Sequence, residues 1–473
     1  MLTVGIVDAN EVVSSEYAGL TGSVVGGWLQ WELARANITL VEPGCADVVL
    51  LVFSGALDFL RASRRALRRC GIEPDAGRRD SPYIITGGPC DAIPFTVLQI
   101  ANALAIGEAY KFIRELAALL ACNCTISDIS AMVTAYPHAI EREQLSGLTR
   151  DTHRPWLLTE PAPVLATPDD YIDWTTPPVR STDNVVRVVA SKGCHKKCAF
   201  CATTYRQAYA TDDNGQRVIA RVESLKRRGE RVQLLSNDPL NLPYFRDINT
   251  RLDSQSFTID EIADDENRAA VIRAKPGMAR FGVEGLSERL RRAFGKAITC
   301  DKLLHVVEDL HSQKVNTHLF YIVGAPYEGE EDWDEFRETV RALSLRVTVG
   351  ICRVKMTTFL PTPPAPLARF IPAAGYADQM RGFKVWLSRN CASRHLLFVY
   401  GRGAETRTDN IAEQLSVPRD IAKTMASSDV TLDLAPTEDD QRRLPWEVVG
   451  WPLDMKRRNT VADVYKRRIA DRL

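Results

Sequence analysis

The strongest constraint on the fold is a repeated alternation of short apolar runs with helical stretches, present in the first 145 residues and again from Asn184. Residues 47–53 (DVVLLVF) are almost continuously apolar, which is typical of a strand buried on both faces of a sheet. Alternating strands and helices predict parallel α/β sheets, whose ligand sites lie beyond the carboxyl ends of the strands. We therefore expect an α/β protein.

Composition divides this α/β chain into segments. Residues 146–182 contain six prolines, and because prolines at this density break periodic structure, the segment is predicted to be a linker or a wrapping strap. Three folded segments are expected around it. They are a doubly wound, flavodoxin- or Rossmann-like domain over residues 1–145, a partial or full (β/α) barrel over 183–370, and a small α+β domain over 371–473.

Charge and hydropathy exclude several classes of protein. The chain has 60 basic and 60 acidic side chains, so it has no general electrostatic footprint for nucleic acid. No apolar run approaches the roughly 20 residues that span a bilayer, and the N-terminus lacks the basic region of a signal peptide. We expect a soluble cytoplasmic protein without a membrane partner, in which the 11 cysteines do not form a disulfide scaffold.

Cys194, Cys198 and Cys201 form a C-x3-C-x2-C triplet after a predicted strand. Three thiolates on one short loop can bind three irons of a cubane cluster, which leaves the fourth iron open to a substrate. The alternatives are a disulfide, three unrelated thiols, or a structural zinc site, which needs four ligands and usually two paired half-sites. His195 has poor reach as a fourth ligand. The later cysteines offer no second pair: Cys300, Cys352 and Cys391.

With Phe200 directly before the third cysteine, the triplet resembles that of the radical S-adenosylmethionine (SAM) superfamily. The resemblance implies a 4Fe-4S cluster whose open iron binds the amino and carboxylate groups of SAM. One electron, from an external donor of flavodoxin or ferredoxin type, then breaks a carbon–sulfur bond and gives a 5′-deoxyadenosyl radical. Lys192, Lys196 and Lys197 are expected to offset part of the thiolate charge.

Two later stretches resemble the SAM contacts of that superfamily. Residues 281–287 (FGVEGLS) are similar to a strand end that contacts the ribose and methionine moieties, which assigns these roles to Glu284 and Ser287; the alternative is a helix N-cap at Ser287 beside a solvated acid. Residues 320–328 are similar to a turn that holds adenine through backbone groups at Gly324, and the alternative there is an ordinary strand-to-helix turn.

The second barrel strand lacks the glycine–glycine–glutamate stretch of the superfamily. Asn237 and Asp238 stand there instead, and we expect one of them to hydrogen-bond the methionine ammonium. With Phe200, they complete the residues expected near SAM.

The glycine turns of the first segment resemble those of a cobalamin-binding domain, in which small residues leave room for a corrin ring. No histidine precedes His138, so the resemblance implies cobalt without a histidine ligand from this domain. The alternative is a corrin-free scaffold. The residues that the resemblance assigns to cobalamin are Asn10, Ser54, Gly55, Thr86, Gly87, Gly88, Gly107 and Glu108.

These features predict a cobalamin-dependent radical SAM enzyme, most simply a methyltransferase acting on carbon in a small-molecule or peptide substrate. Arg353 and Lys355, on the last predicted barrel strand, are expected to line the substrate pocket, unless they form a solvated strand face. One alternative is a corrin-free enzyme such as a methylthiotransferase, although only Cys90 lies near a strand end suited to a second cluster. The other is a metal- or cluster-binding protein without catalysis.

Overall fold

The computed structural model describes residues 2–9, 24–53, 59–87, 94–106, 110–137, 139–145, 179–180, 184–206, 209–212, 215–362, 365–370, 373, 375–400 and 455–470. They fall into two compact units, one extending to Val185 and the other running from Val186 and including the C-terminal helix. Both units contain parallel strands with intervening helices, which confirms the α/β prediction. The predicted linker lies outside the described residues except for 179–180.

The first unit is built on a five-stranded sheet. Its elements are β1 (Val4–Asp8), α1 (Val24–Arg35), β2 (Val48–Val52), α2 (Phe59–Arg69), β3 (Tyr83–Gly87), α3 (Pro94–Val97), β4 (Ala103–Ala105), α4 (Tyr110–Leu120), α5 (Ile126–Ala135), β5 (Ala139–Glu141), α6 (Arg142–Leu145) and β6 (Val179–Arg180). The first four strands are parallel, and β5 is antiparallel to β4.

Strand β2 lies between β1 and β3, and all five of its residues are buried, as its continuous apolar run predicts. Val48 and Leu50 pack in one core with Trp28 of α1 and Phe112 of α4. Full burial of one such side chain stabilises the fold by roughly 1.5–3 kcal/mol.

The strand order of this sheet reverses at β1. The five strands are hydrogen-bonded in chain order, β1–β2–β3–β4–β5. Leu40, which lies between α1 and β2 in the chain, forms a parallel bridge with Val4 on the other side of β1. The chain therefore adds to both sides of β1, as a doubly wound sheet does at its switch point.

The second unit contains more strands and a longer series of helices. Its elements are β7 (Val185–Val189), β8 (Ser191–Lys192), α7 (Thr203–Arg206), β9 (Ala210–Thr211), α8 (Gln216–Arg227), β10 (Arg231–Leu235), β11 (Gln255–Thr258), α9 (Ile259–Ile262), α10 (Asp265–Ala274), β12 (Ala279–Glu284), α11 (Glu288–Phe294), α12 (Cys300–Ser312), β13 (Thr317–Val323), α13 (Glu330–Arg346), β14 (Cys352–Thr358), α14 (Tyr376–Asn390), β15 (Leu396–Tyr400) and α15 (Met455–Ala470).

Strands β11 to β15 form a parallel sheet in chain order, and β10 pairs with β7 in a separate sheet. The side-chain amide of Gln255, on β11, joins the two: it accepts from the Leu234 N–H (3.1 Å) and donates to the Leu234 carbonyl (3.0 Å). This buried amide therefore takes the place of backbone pairing between β10 and β11.

The parallel sheet has one closed and one open face. On β12, Ala279, Phe281 and Val283 are buried, whereas the alternate residues Arg280 and Glu284 are only half-buried. The same alternation is present in residues 317–320 of β13 and 352–357 of β14, whereas the last three residues of β13 are all buried. Strand β15, which lies in the segment expected to form a separate C-terminal domain, extends this sheet.

In the part of the chain that the structure describes, no helix is long and apolar enough to cross a membrane.

Candidate functional site

The three cysteines lie on the loop that follows β8, and backbone hydrogen bonds fasten its centre on two sides. The Ala199 N–H donates to the carbonyl of Phe294, at the end of α11 (3.2 Å), and the Ala199 carbonyl accepts from the N–H of Leu367 (3.1 Å). Leu367 belongs to the short 3-10 helix Pro366–Arg369. The proline-rich stretch after β14 therefore returns to the cysteine loop.

Side chains fasten the start of the same loop. The amide of Asn237 donates to the Gly193 carbonyl (3.0 Å), and the Thr204 hydroxyl donates to the Cys194 carbonyl (3.3 Å). Asn237 therefore holds the loop, a role that sequence analysis did not foresee when it assigned this residue to SAM.

Burial suppresses ionisation of two of the thiols, those of Cys194 and Cys198. Cys198 is 7% exposed, and burial raises the pKa of its thiol to about 12. Burial also raises the pKa of Cys194, against the opposing effect of the Lys196 N–H, which lies 3.4 Å from its Sγ. Charges at Cys194 and Cys201 each add to the pKa of Cys198, so the three sulfurs lie within electrostatic range. Thiolates in this setting need a bound cation or cluster to stabilise them.

Lys296 supplies a cation beside these sulfurs. Its side chain is 6% exposed. Burial alone lowers the pKa of a lysine, but negative charge at Cys198, Glu284, Asp260 and Cys194 outweighs that effect and raises the pKa of Lys296. Sequence analysis missed this residue, because it lies 95 positions beyond Cys201 and outside the motifs.

The loop lysine Lys196 has another partner. Its ammonium lies 2.5 Å from a Glu261 carboxylate oxygen. The pKa of Glu261 is raised to about 7, mainly because the carboxyl group is buried. Lys196 was expected to offset thiolate charge, but its ammonium is paired with Glu261. Lys296 is the lysine that interacts with the charges of Cys198 and Cys194.

The triplet does not have the compactness of a single-ion site. Two sulfurs bound to one tetrahedral zinc lie about 3.8 Å apart. Over the described residues, the one set of three potential ligands with all donor atoms within 4.8 Å is Glu288, Cys300 and Glu335. The three thiol sulfurs are therefore not all within 4.8 Å of one another, a closeness that a cubane does not require, because each thiolate binds a different iron. His195 instead stacks on Tyr209, with ring centroids 3.7 Å apart.

Glu284 lies at the end of β12 with a left-handed backbone (φ 71°). Glu284 as a whole residue is partly exposed, but its carboxyl group is buried. This burial raises the pKa of Glu284 to about 7, and the positive charge of Lys296 opposes the shift. Glu284 is therefore not a solvated loop acid. Ser287 caps α11 by accepting from the Leu290 N–H (3.2 Å), so the N-cap alternative is confirmed at that position.

Asp238 is completely buried behind the loop and accepts from Asn241 (2.6 Å) and Thr258 (3.2 Å). Like Asn237, it is occupied by contacts that support the site. Phe200 packs edge-on against Phe294, with centroids 5.2 Å apart.

The turn after β13 is fixed from within. Gly324 has φ 72°, and a side chain there would also meet the ring of Tyr376. The N–H groups of Gly324 and Ala325 donate to the carboxylate of Glu328 (3.0 and 3.1 Å), which also accepts from the indole of Trp333 (3.0 Å). The Gly324 N–H, one of the backbone groups of the turn expected to hold adenine, therefore already has a partner.

Residues 188–340 match the family model described as the radical SAM superfamily. The chain thus contains a radical SAM domain. The matched segment contains the cysteine loop, Lys296 and the turn at Gly324. No protein of curated function matches the chain.

Three solved structures illustrate the range of similarity. The cobalamin-dependent SAM radical enzyme OxsB, with aqua-cobalamin and SAM bound, is 13% identical with a TM-score of 0.47, covering 72% of this chain and 52% of its own. SuiB from Streptococcus suis, bound to SAM, is 9% identical (TM-score 0.30; 67% and 66% covered). Coproporphyrinogen III oxidase from Escherichia coli is 16% identical (0.30; 46% and 54%). This chain spans about half the length of OxsB.

Two of the residues expected at cobalamin are described, and both have structural roles. The Thr86 hydroxyl donates to the Leu51 carbonyl (2.8 Å). A Cβ at Gly87 would lie 2.8 Å from the Ala105 carbonyl oxygen, so glycine permits the close approach of β3 and β4. The other expected residues lie outside the described residues: Asn10, Ser54, Gly55, Gly88, Gly107 and Glu108.

Arg353 and Lys355 lie on alternate positions of β14, on the open face of the parallel sheet. Arg353 is exposed and Lys355 is half-buried.

Proposed function

We propose that this chain is a cobalamin-dependent radical SAM methyltransferase that acts on a carbon atom of a small-molecule or peptide substrate. The observation that carries the proposal is the cysteine loop itself, in which three thiols lie within electrostatic range of one another and the buried cation Lys296 acts on Cys198 and Cys194. When bound, the 4Fe-4S cluster and SAM supply one-electron cleavage of a carbon–sulfur bond.

Cys194, Cys198 and Cys201 would each hold one iron and leave the fourth iron to SAM. The chain's part is to fix the three sulfurs through the Ala199 and Gly193 backbone contacts and to neutralise part of the added negative charge through Lys296. A buried cation near an anionic cluster favours its reduced form, because the attraction is weakly screened there.

Glu284 is the proposed partner of the SAM ribose hydroxyls or ammonium. It lies at the carboxyl end of β12, and Lys296 adjoins both it and Cys198. Ser287 would support the backbone that presents Glu284, and Asp238 would support the surroundings of the cysteine loop. Phe200 and Gly324 would lie next to the cofactor. A carboxylate that accepts charge-assisted hydrogen bonds gives both strength and orientation.

The two sheets of the second unit are joined through the side chain of Gln255, and we propose that together they form a partial (β/α) barrel. The domain limits proposed from the sequence remain 1–145, 183–370 and 371–473. Cobalamin is assigned to the first of these on the resemblance of its glycine turns, and the carboxyl ends of its parallel strands share one edge, as ligand-binding sheets require.

A corrin-free radical SAM enzyme is the second candidate, and one observation favours it. Thr86 and Gly87 are both explained by the packing of the sheet without a ligand. The two candidates share the cluster and differ in cobalt.

The test is anaerobic reconstitution of the full chain with iron, sulfide and cobalamin, followed by assay with SAM and a chemical reductant. The proposal predicts about four irons and one cobalt per chain, with formation of both S-adenosylhomocysteine and 5′-deoxyadenosine. Cobalt that washes out, with 5′-deoxyadenosine still formed, would establish the corrin-free candidate. The matched control is Cys391→Ala, which changes a cysteine outside the loop.

A further inference from the structure

The surface beside the cysteine loop is formed by three segments that contact one another. Lys197 belongs to the loop, and Arg292 and Gly295 belong to the end of α11. A Cβ atom at Gly295 would lie 3.5 Å from the Lys197 carbonyl oxygen and 3.8 Å from the Cα atom of Cys198. The guanidinium of Arg468, on α15, donates to the Arg292 carbonyl (2.7 Å). The loop, the end of α11 and α15 therefore adjoin one another.

This surface carries four exposed cationic residues, the loop-side cations: Lys197, Arg292, Arg467 and Arg468. Over the residues that the structure describes, none of them forms an ion pair with a carboxylate. The Arg467 side chain donates instead to the backbone carbonyl of Asp463 (3.4 Å), as that of Arg468 does to Arg292. Hydrogen bonds to backbone carbonyls leave the charge of a guanidinium in place.

Acidic side chains are scarce in the three segments that form this surface. Among the described side chains of residues 193–201, 291–298 and 460–469, Asp463 is the one acidic residue. It precedes Arg467 by one helical turn and offsets part of that charge. The loop-side cations therefore keep an excess of positive charge.

Two acids reach this region from α9, and both have other partners. The Asp260 carboxylate accepts from the N–H groups of residues 297 and 298 (2.8 and 3.0 Å), and its charge acts on the buried Lys296. Glu261 is paired with Lys196. Neither carboxylate therefore neutralises the loop-side cations.

The exposed surface comes very close to the proposed cluster. Gly295 is exposed, and the position of its absent side chain is in van der Waals contact with the backbone of Cys198. Cys198 is one of the three proposed iron ligands. Because electron transfer slows steeply with distance, a redox protein bound to this surface would be well placed to reduce the cluster.

We propose that the loop-side cations dock an acidic one-electron carrier protein of the flavodoxin type. The inference rests on the proposed function, because the carrier needs the cluster as its acceptor. The carrier loses one electron and the cluster gains it, and no bond forms or breaks in this step. Positive charge on one protein and negative charge on the other steer the encounter and speed association.

The first test measures binding of oxidised flavodoxin to the full reconstituted chain by isothermal titration calorimetry, which requires no turnover. The wild type should bind less tightly as salt is added, since screening weakens attraction between exposed charges. The double variant Arg292→Gln/Arg467→Gln should raise the Kd about tenfold, equivalent to about 1.4 kcal/mol. Both side chains are exposed and outside the cysteine loop, so iron content should match that of the wild type.

The matched control removes the same amount of charge elsewhere in the second unit. Arg273→Gln/Arg389→Gln changes two exposed positions, on α10 and α14. This variant should bind flavodoxin as the wild type does. Equal weakening by the two double variants would show an effect of net charge alone and would overturn the docking surface.

The second test compares two reductants in the formation of 5′-deoxyadenosine. With reduced flavodoxin, kcat/KM for the donor should fall about tenfold in Arg292→Gln/Arg467→Gln. Photoreduced 5-deazariboflavin is a small uncharged donor, so the variant and the wild type should react equally with it. An equal loss with both reductants would mean that the arginines support the cluster or SAM, and the docking role would be refuted.

Two further results would overturn the inference: flavodoxin that does not bind the wild type, and an oligonucleotide that binds the same cations more tightly than flavodoxin does. Iron content and deazariboflavin-driven SAM cleavage, measured on the same preparations, test the proposed function separately. A chain that cleaves SAM with deazariboflavin but does not bind flavodoxin refutes the docking surface alone. A chain that binds flavodoxin through these arginines but does not cleave SAM confirms the surface and refutes the proposed function.

Discussion

The phenol of Tyr465, on the C-terminal helix α15, donates a hydrogen bond of 2.7 Å to the carbonyl of Pro326, in the turn that follows β13. The ring of Tyr465 is completely buried and stacks on Phe294, the residue whose carbonyl holds Ala199 in the cysteine loop. One side chain from the end of the chain therefore reaches both the turn and the support of the loop. The matched family segment ends at residue 340, well before this helix.

Removing that hydroxyl should weaken SAM binding. Tyr465→Phe keeps the ring against Phe294 but leaves the Pro326 carbonyl without its donor, at a cost of about 1 kcal/mol. We expect the Kd for SAM to rise about fivefold while iron content stays unchanged, measured by equilibrium dialysis of the reconstituted protein. The control is Tyr400→Phe, on β15 of the same unit. Equal SAM affinity in the wild type and Tyr465→Phe would show that α15 does not position the turn.

Loss of one loop thiol should abolish the cluster. Cys198→Ala removes the most buried of the three sulfurs, so the remaining two cannot complete a three-point attachment. Iron content after reconstitution should fall to background. Cys391→Ala should retain wild-type iron. Retention of a full complement of iron by Cys198→Ala would reject the assignment of the ligands.

Lys296 should tune the ease of cluster reduction. Lys296→Met removes the buried cation that faces Cys198 and Glu284, so the additional electron is less well stabilised. We expect the midpoint potential to fall by tens of millivolts, where about 60 mV corresponds to about 1.4 kcal/mol for one electron. The measurement is a redox titration followed by electron paramagnetic resonance. Lys296→Arg keeps the charge, so its midpoint potential should stay close to that of the wild type. An unchanged potential in Lys296→Met would contradict this role.

Glu328 should give the fold a defined pH dependence. Burial raises the pKa of Glu328 from 4.5 to about 7, although the Gly324 and Ala325 N–H groups oppose the change. The folded protein thus keeps a proton that the unfolded chain has released. The resulting stability is full below about pH 4.5 and is lost as the pH rises through about 7.

Comparison with Glu328→Gln isolates that effect, because glutamine does not titrate. Between about pH 5 and pH 8, the Tm of the wild type should fall by about 3 °C or more relative to that of the variant. A constant offset between the two proteins is expected from the changed hydrogen bonds and has no bearing on the test. Parallel Tm curves would show that Glu328 is ionised throughout.

Much of the fold could be predicted from periodicity. Strand Arg231–Leu235 and helix Tyr110–Leu120 lie where apolar spacing places them. The short strand β11 (QSFT) was not predicted, because three of its four residues are polar and its link to β10 depends on the Gln255 side chain. The bridge at Leu40 on the outer side of β1 was not predicted, since it depends on long-range packing that a local pattern does not encode.

The candidate site shows the same division. The cysteine triplet was predictable because its ligands are adjacent in sequence, and Ser287 was recognised as a possible N-cap from its place before a helix. Lys296 and Tyr465 were missed, since each acts through a tertiary contact to a residue far along the chain. The polar residues Asn237 and Asp238 were assigned to a ligand, whereas the structure uses their side chains to brace the loop and its surroundings.

The central claim is that three thiols hold a cluster with one iron left for SAM, and electron paramagnetic resonance of the reduced, reconstituted protein tests it most directly. The account predicts about four irons per chain and a signal whose shape changes when SAM is added, because SAM then binds the open iron. A protein that takes up one zinc ion per chain instead, or a cluster signal that SAM leaves unaltered, would contradict it.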